Sequence, residues 1–244
     1  MIRTNDFQRE SLTIEIGETN LDKEQLFDVR KHAAGLAHEI RNPLTTIKGF
    51  LELLKPSLSE MGRGEYAEIA LDEIDRVNDI INQFLNDMKP IHHKKELLSL
   101  NEQLMALVKF FESESKVKNI QLHTHLSEEN IQVYIDKNEL KQVLINLVKN
   151  AIEAIEESDN PAGYIDIRTE IKDHQAFIHI IDNGCGMSYD TINQLFMPFY
   201  TTKTMGTGIG LAVCKEIIDH YQGHISISTD QNKGSKVSIA LPLH

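Results

Sequence analysis

Two long runs of apolar residues at helical spacing, separated by a short break, constrain this chain more than any other feature. Between Leu21 and about Lys55 they fall at Leu26, Val29, Ala33, Leu36, Ile40, Leu44, Ile47, Leu51 and Leu54. Steps of three and four collect such residues on one face of a helix. From Pro56 to Gly64 a proline and two glycines break the pattern, which predicts a turn there. Tyr66, Ala70, Ile74, Val77, Ile81, Phe84 and Met88 then repeat the spacing until Pro90 ends it. Two such helices form an antiparallel hairpin, and one hairpin cannot cover both of its seams. Pairing with a second copy as a four-helix bundle is the economical solution; folding back onto the rest of the chain is the alternative.

Residues 91–244 have a different texture. Helices are predicted at Asn101–Lys118, Lys137–Glu157 and Ile209–Tyr221. Strands are predicted at Ile120–Leu126, Ile131–Ile135, Tyr164–Ile171, Ala176–Ile181, Ile225–Thr229 and Lys236–Leu241. That mixture suggests an α/β sandwich with helices on one face of a mixed sheet. The 244 residues therefore divide into a weakly patterned linker over 1–20, a helical domain over 21–90 and a second domain over 91–244.

The balance of 25 Lys+Arg against 37 Asp+Glu, a net charge of −12, argues against nucleic acid as a direct partner. No apolar run approaches the ~18 residues of a membrane helix, and the amino-terminal segment MIRTNDFQRE has no signal-peptide core. Two cysteines, Cys185 and Cys214, make no disulfide framework, so a reducing cytosol is expected.

The first helix carries His38-Glu39-Ile40-Arg41-Asn42-Pro43-Leu44. A heptad count leaves His38 off the seam and facing solvent. Glu39 is a candidate to hold one imidazole nitrogen so that the other keeps its lone pair for attack. Asn42 lies one turn on, where an amide can orient a water or a phosphoryl oxygen. Pro43 removes the N–H that Glu39's carbonyl needs, which predicts a bend. A zinc-binding His-Glu-x-x-His is excluded because the fifth position is Asn42.

Four further blocks lie in the second domain. Asn146 and Asn150 line one edge of the predicted Lys137–Glu157 helix, with Glu139 and Glu153 on the same polar stripe; amide and carboxylate oxygens suit Mg²⁺. Asp182-Asn183-Gly184-Cys185-Gly186-Met187 follows an apolar strand, putting a carboxylate in a pocket that backbone can approach closely. Phe196-Met197-Pro198-Phe199-Tyr200-Thr201-Thr202-Lys203 reads either as an apolar loop anchor or as a lid offering Lys203 to phosphates. Gly206-Thr207-Gly208-Ile209-Gly210-Leu211 opens a helix, where free N–H groups and the helix dipole meet phosphate oxygens. It matches neither the dinucleotide fingerprint nor a P-loop. The histidine pairs 92/93 and 123/125 read as surface residues or, less economically, as metal ligands.

Together these blocks resemble the H, N, G1, F and G2 boxes of the sensor histidine kinases of two-component signalling, in that family's order, over residues 24–243. The stretch from Ala37 to Leu54 is similar to the sporulation kinases of spore-forming bacilli, KinB-like in character. The resemblance implies a dimerisation and phosphoacceptor hairpin, a Bergerat-type ATP-binding sandwich, ATP and Mg²⁺. It implies His38 as phosphoacceptor, Glu39 as its activating base and Asn42 as the residue positioning water for a reverse phosphatase reaction. Asn150 would hold Mg²⁺ and Asn146 would lie close to the phosphates. Asp182 would read the adenine amine in a pocket shaped by Gly184 and Gly186. Lys203, Gly206, Thr207, Gly208, Gly210 and Leu211 would belong to the lid and phosphate-binding block. Ser235 stands where many members have threonine and would serve in its place. The implied partners are a second copy, a response-regulator receiver domain and small inhibitory proteins on the hairpin. The segment near Pro90–His92 is the natural hinge. The chain would be the cytoplasmic portion of a larger sensor. Rival readings are an ATPase of the same nucleotide-binding superfamily and a scaffold that binds without catalysis.

Overall fold

A computed structural model describes residues 12–15, 20–88, 94–158, 160–203 and 206–244; the side chains at 12–34, 36, 83, 86 and 87 are not included. The hinge at Pro90–His92, the histidines at 92 and 93, Thr204, Met205 and the side chains of Leu26, Val29, Ala33 and Leu36 therefore lie outside the described residues. The chain divides into two compact units. One comprises Met1–Glu18, Ile91–Met197 and Gly210–His244; the other comprises Thr19–Pro90 and Pro198–Ile209.

The helical unit is built on α1 (Asn20–Glu60) and α2 (Gly64–Asp87). Arg41 bonds Asn82 at 3.0 Å, Lys48 pairs with Asp75, and Lys55 meets Glu68 at 3.1 Å. These links step by seven residues along both helices, which fixes an antiparallel register and sets His38 opposite the last turn of α2. Ala37, Ala67, Ile74, Ile81 and Met88 are buried.

The break expected at Pro56 falls later. Helix α1 runs through both Pro43 and Pro56, although an interior proline costs ~3 kcal/mol of helix propensity. Half-buried Leu58 and the exposed Lys55–Glu68 link lie on either side of Pro56. The helix ends where Gly62 takes φ 70°, with Gly62 N bonding Ser59 O and Arg63 N bonding Leu58 O. A left-handed residue just past the end is how many helices close.

The other unit is an α/β sandwich. Strands β1 (Leu12–Glu15), β3 (Gln121–His125), β5 (Tyr164–Lys172), β6 (Gln175–Asp182), β7 (His224–Asp230) and β8 (Gly234–Pro242) form one sheet in the order β1-β7-β8-β6-β5-β3. Among the described residues, only the β3–β5 pair of this sheet is parallel. A ribbon of β2 (Glu96–Ser99) and β4 (Gln132–Ile135) stands beside it. Helices α3 (Leu100–Val117), α4 (Lys137–Glu157) and α6 (Gly210–His220) pack on one another and on the sheet. A short α5 (Tyr189–Gln194) lies between β6 and α6. Expected and observed bounds of the shared elements agree within a residue or two, as helix and strand ends usually do. Three elements were not anticipated: β1, inside the segment read as linker, β2 and α5. Strand β1 is four residues long and takes its order from the edge of β7, pairing Leu12 with Thr229 and Ile14 with Ile227.

The core sits between sheet and helices. Strand register lines up inward rows such as Ile167–Ile180–Val237–Ile227. Helix α4 packs on β5, β6 and β8 and buries Leu140, Val143, Leu144 and Leu147. Asp136 starts α4 as a cap, its carboxylate accepting from the N–H groups of Asn138 and Glu139.

Candidate functional site

The last inward row of the sheet turns polar. In register, Ile165 is followed by Asp182, Ser235 and Thr229, and their exposures are 5% for Asp182, 5% for Ser235 and 0% for Thr229. Buried polar groups persist only where they are hydrogen-bonded, and these are. One oxygen of Asp182 accepts from Gly184 N at 2.9 Å and Ser235 N at 3.2 Å. Thr229 Oγ1 accepts from Met187 N at 3.0 Å, donates to Gly234 O at 3.0 Å and lies 2.9 Å from Ser235 Oγ.

The turn after β6 is clamped on both sides. Asn183 Oδ1 accepts from Tyr164 N at 2.7 Å and its amide donates to Ala162 O at 2.9 Å. Cys185 N donates to Ala154 O of α4 at 2.9 Å. A Cβ on Gly184 would lie 2.5 Å from the backbone carbon of Ala154, so only glycine lets this turn rest on α4. Gly186 lies next to Cys185, whose carbonyl accepts from Asn232 N. Burial pushes the Cys185 thiol upward in pKa, with Glu157 adding to the effect.

On α4, Asn146 and Asn150 are half-buried and one turn apart. The Asn146 amide donates to Gly210 O at 3.4 Å, which ties it to the first turn of α6, where helix N–H groups lack partners along the helix. Leu211 packs with Met187, Phe196 and Val237 around Ile192, Leu195 and Ile227. Glu139 does not belong to the polar stripe expected of it. It is buried at the start of α4, accepts from the Tyr221 hydroxyl, and with burial pushes that phenol strongly upward in pKa. Glu153 is half-buried, nearer the two asparagines. The amide oxygens of Asn150 and Asn146 are the hard donors that Mg²⁺ takes alongside phosphates and water, so these residues fit that ion.

The segment Pro198–Ile209, grouped with the helical unit, closes on itself. Phe199 N donates to Gly208 O at 2.9 Å, and Gly206 N donates to Lys203 O. Thr201 Oγ1 accepts from Lys203 N, and Thr207 Oγ1 accepts from Ile209 N. Lys203, Gly206, Thr207 and Gly208 thus share one loop.

On α1, His38, Glu39 and Asn42 are exposed. His38 and Asn42, four apart, share a face. Glu39 makes no hydrogen bond to His38 among the described residues; neighbours on a helix point ~100° apart, which is why the expected link is absent in this arrangement. Thr45 and Thr46 hydroxyls donate to the carbonyls of Arg41 and Asn42 around Pro43. His123 and His125 are exposed on β3, His125 lying 3.7 Å from Asp166.

Residues 28–90 match the His Kinase A (phospho-acceptor) domain, and residues 135–244 match the histidine kinase-, DNA gyrase B- and HSP90-like ATPase family. The catalytic domain of the histidine kinase ThkA is 33% identical, with a TM-score of 0.55; the match covers 61% of this chain and 95% of that one. The chain belongs to the sensor histidine kinases. ThkA in complex with the response regulator protein TrrA matches 91% of this chain and 64% of its own, at 30% identity and a TM-score of 0.64. Among histidine kinases of Bacillus subtilis, sporulation kinase D is 38% identical over 86% of this chain, and sporulation kinase B is 35% identical over 91%. The sporulation-kinase resemblance therefore holds, while kinase B is not singled out. The chain spans 41% and 51% of the lengths of these two relatives. Among the described residues no helix is long and apolar enough to cross a membrane.

Thr229 carries part of this site and was not among the residues singled out in the sequence. Its signal was there: it continues the inward positions Ile225 and Ile227 of β7 with a hydroxyl where an apolar residue is the norm.

Proposed function

We propose that this chain transfers the γ-phosphoryl group of ATP to His38 and then to an aspartate of a response-regulator receiver domain. The observation that carries the reading is a pairing of opposites in one kinase-family chain. An exposed imidazole stands on the hairpin, and a buried acceptor row ends the sheet of the other unit.

Asp182 is suited to accept from the adenine amine, beside Ser235 and the turn held by Gly184 and Gly186. Asn146, Asn150, Gly210 and the loop bearing Lys203, Gly206, Thr207 and Gly208 serve the phosphates. Leu211 backs them from the core. Asn150 would hold Mg²⁺, which would supply charge neutralisation on the phosphates. The lone pair of one His38 nitrogen attacks the γ-phosphorus in line, and the bond to the bridging oxygen of ADP breaks. The other imidazole nitrogen then gives its proton to Glu39, which must turn toward the ring to receive it. Asn42, one turn on, orients the water for the reverse hydrolysis.

The working form is a dimer. Ile40, Ile47, Leu54 and Met61, each seven residues from the next, stay about half exposed, with Phe50 at 62% and Leu53 at 77%. A face of that kind on a helical hairpin calls for a partner. A response regulator docks around His38, in keeping with the complex that the similar kinase ThkA forms with the response regulator TrrA, and small inhibitory proteins compete there. In this reading the reaction runs in the cytosol. The domain division at residues 20 and 90, with the hinge near Pro90–His92, belongs to the same proposal.

Incubation with γ-labelled ATP and Mg²⁺ tests it. The expected product is a label lost in acid and kept in alkali, absent from His38→Gln, while that variant still binds ATP. Acid-stable label, or none in any buffer, overturns the reading.

A further inference from the structure

The polar row at the end of the sheet has a direction, and the direction follows from counting protons. Thr229 Oγ1 has one proton and three neighbours: Met187 N, Gly234 O and Ser235 Oγ. Met187 N can only donate, so Thr229 accepts there. Gly234 O can only accept, so the Thr229 proton goes to it. If that proton pointed at Ser235 instead, two oxygens with lone pairs would face each other at 3.0 Å in a fully buried site, with no donor between them. All three contacts are hydrogen bonds in only one arrangement: Ser235 donates to Thr229. The hydroxyl of Ser235 then has lone pairs to offer a ligand and no proton.

We propose that Thr229 is a positioning residue that, through Ser235, selects a 6-amino purine over a 6-oxo purine. The inference rests on the nucleotide-binding reading above and adds to it a residue outside the family boxes. Ser235 stands directly across from Asp182 in the strand register and gives its own N–H to that carboxylate. Asp182 is an acceptor, and Ser235, with its proton spent, is another. Two neighbouring acceptors match the two N–H bonds of an exocyclic amine. They oppose the carbonyl oxygen that inosine and guanine carry at the same position. Were Ser235 free to rotate, it could turn its proton toward that oxygen and the discrimination would weaken. The backbone anchors on Thr229, one from the turn after β6 and one from the β7–β8 turn, are what deny it that freedom.

The experiment compares equilibrium binding of ATP and inosine triphosphate to the full chain in Mg²⁺. The variants are Thr229→Val, Thr229→Ser and Ser235→Ala. Wild type is expected to prefer ATP. Ser235→Ala, which loses one acceptor and keeps Thr229's backbone anchors, lowers the preference several-fold. Thr229→Val keeps the shape but frees the Ser235 proton, and lowers it further, by roughly tenfold from wild type, the worth of one hydrogen bond changing sense. Thr229→Ser restores the wild-type ratio. A residue of merely structural importance would weaken both nucleotides together and leave their ratio unchanged. An unchanged ratio in Thr229→Val, or in Ser235→Ala should the valine variant fail to fold, overturns the inference and leaves ATP binding standing. Failure of wild type to bind ATP at all would instead overturn the nucleotide-binding reading.

Discussion

The two units treat their functional side chains in opposite ways. On the hairpin, His38, Glu39 and Asn42 are exposed, and nothing described restrains the imidazole. At the sheet end, Asp182, Ser235 and Thr229 are buried and together engage the N–H groups of Gly184, Ser235 and Met187. In the proposed reaction the imidazole is a nucleophile presented first to a nucleotide and then to a receiver domain, and such a group gains from exposure. A group that must tell one base from another gains from being fixed before the base arrives, because unreorganised acceptors discriminate best. The chemistry is thus split between a side chain free to be reached and a set that is held still.

Substitutions separate the two strategies, and the largest effect is expected at the fixed end. Asp182→Ala should weaken ATP binding by roughly 100-fold, about 3 kcal/mol for a lost charge-assisted acceptor that also ties down two backbone N–H groups. Calorimetric titration with ATP reads it, and retained affinity would refute the base-reading role. Gly184→Ala should cost at least ~2 kcal/mol in the sandwich, since its Cβ would strike the backbone of Ala154. Thermal unfolding would fall by about 4 °C or more, with the hairpin's helicity unchanged.

At the exposed end, Ile47→Glu should weaken the dimer by more than ~10-fold by placing an unpaired charge in the shared seam. The sandwich's melting temperature should stay put. Sedimentation at graded concentrations measures the first and calorimetry the second. A wild-type chain that sediments as a monomer would remove the four-helix bundle from the account.

The smallest effect concerns His179, on the outer face of the sheet. It bonds Ser238 and Glu170 and stacks beside Phe177. Burial, then Lys236 and Arg168, hold its pKa below the ordinary value, against an upward pull from Glu170. The native state therefore binds this proton less readily than the unfolded chain. Its contribution is present above about pH 6.5 and is lost as pH falls toward the lower native pKa. His179→Gln should flatten the acid side of the stability curve, read as melting temperature against pH. A steeper curve in the variant would reverse the sign argued here.

Much of this was readable from residue order alone, for physical reasons. The hairpin seam and the α4 helix announce themselves because long periodic runs average over local noise. Asp182, Gly184 and Gly210 were legible as a strand end and a helix start because glycines at such junctions let backbone approach closely, although a plain turn explains them as well. What escaped depended on partners far away in the sequence. Strand β1 is too short to declare itself without the edge of β7. Proline 56 reads as a stop, yet α1 runs on through it to Glu60 alongside α2. Glu139 reads as surface until Tyr221, 82 residues on, covers it. Thr229 looks like the end of a strand until Met187, Gly234 and Ser235 converge on its one hydroxyl.

The most direct measurement is mass-spectrometric mapping of the modified residue after brief incubation with ATP and Mg²⁺, kept at neutral to alkaline pH throughout. The account predicts one phosphorylated residue, His38, at sharply reduced yield when Asp182 is alanine and ATP is kept below saturation. Phosphate on any other side chain with His38 untouched, or on His38 at full yield in Asp182→Ala, would contradict it.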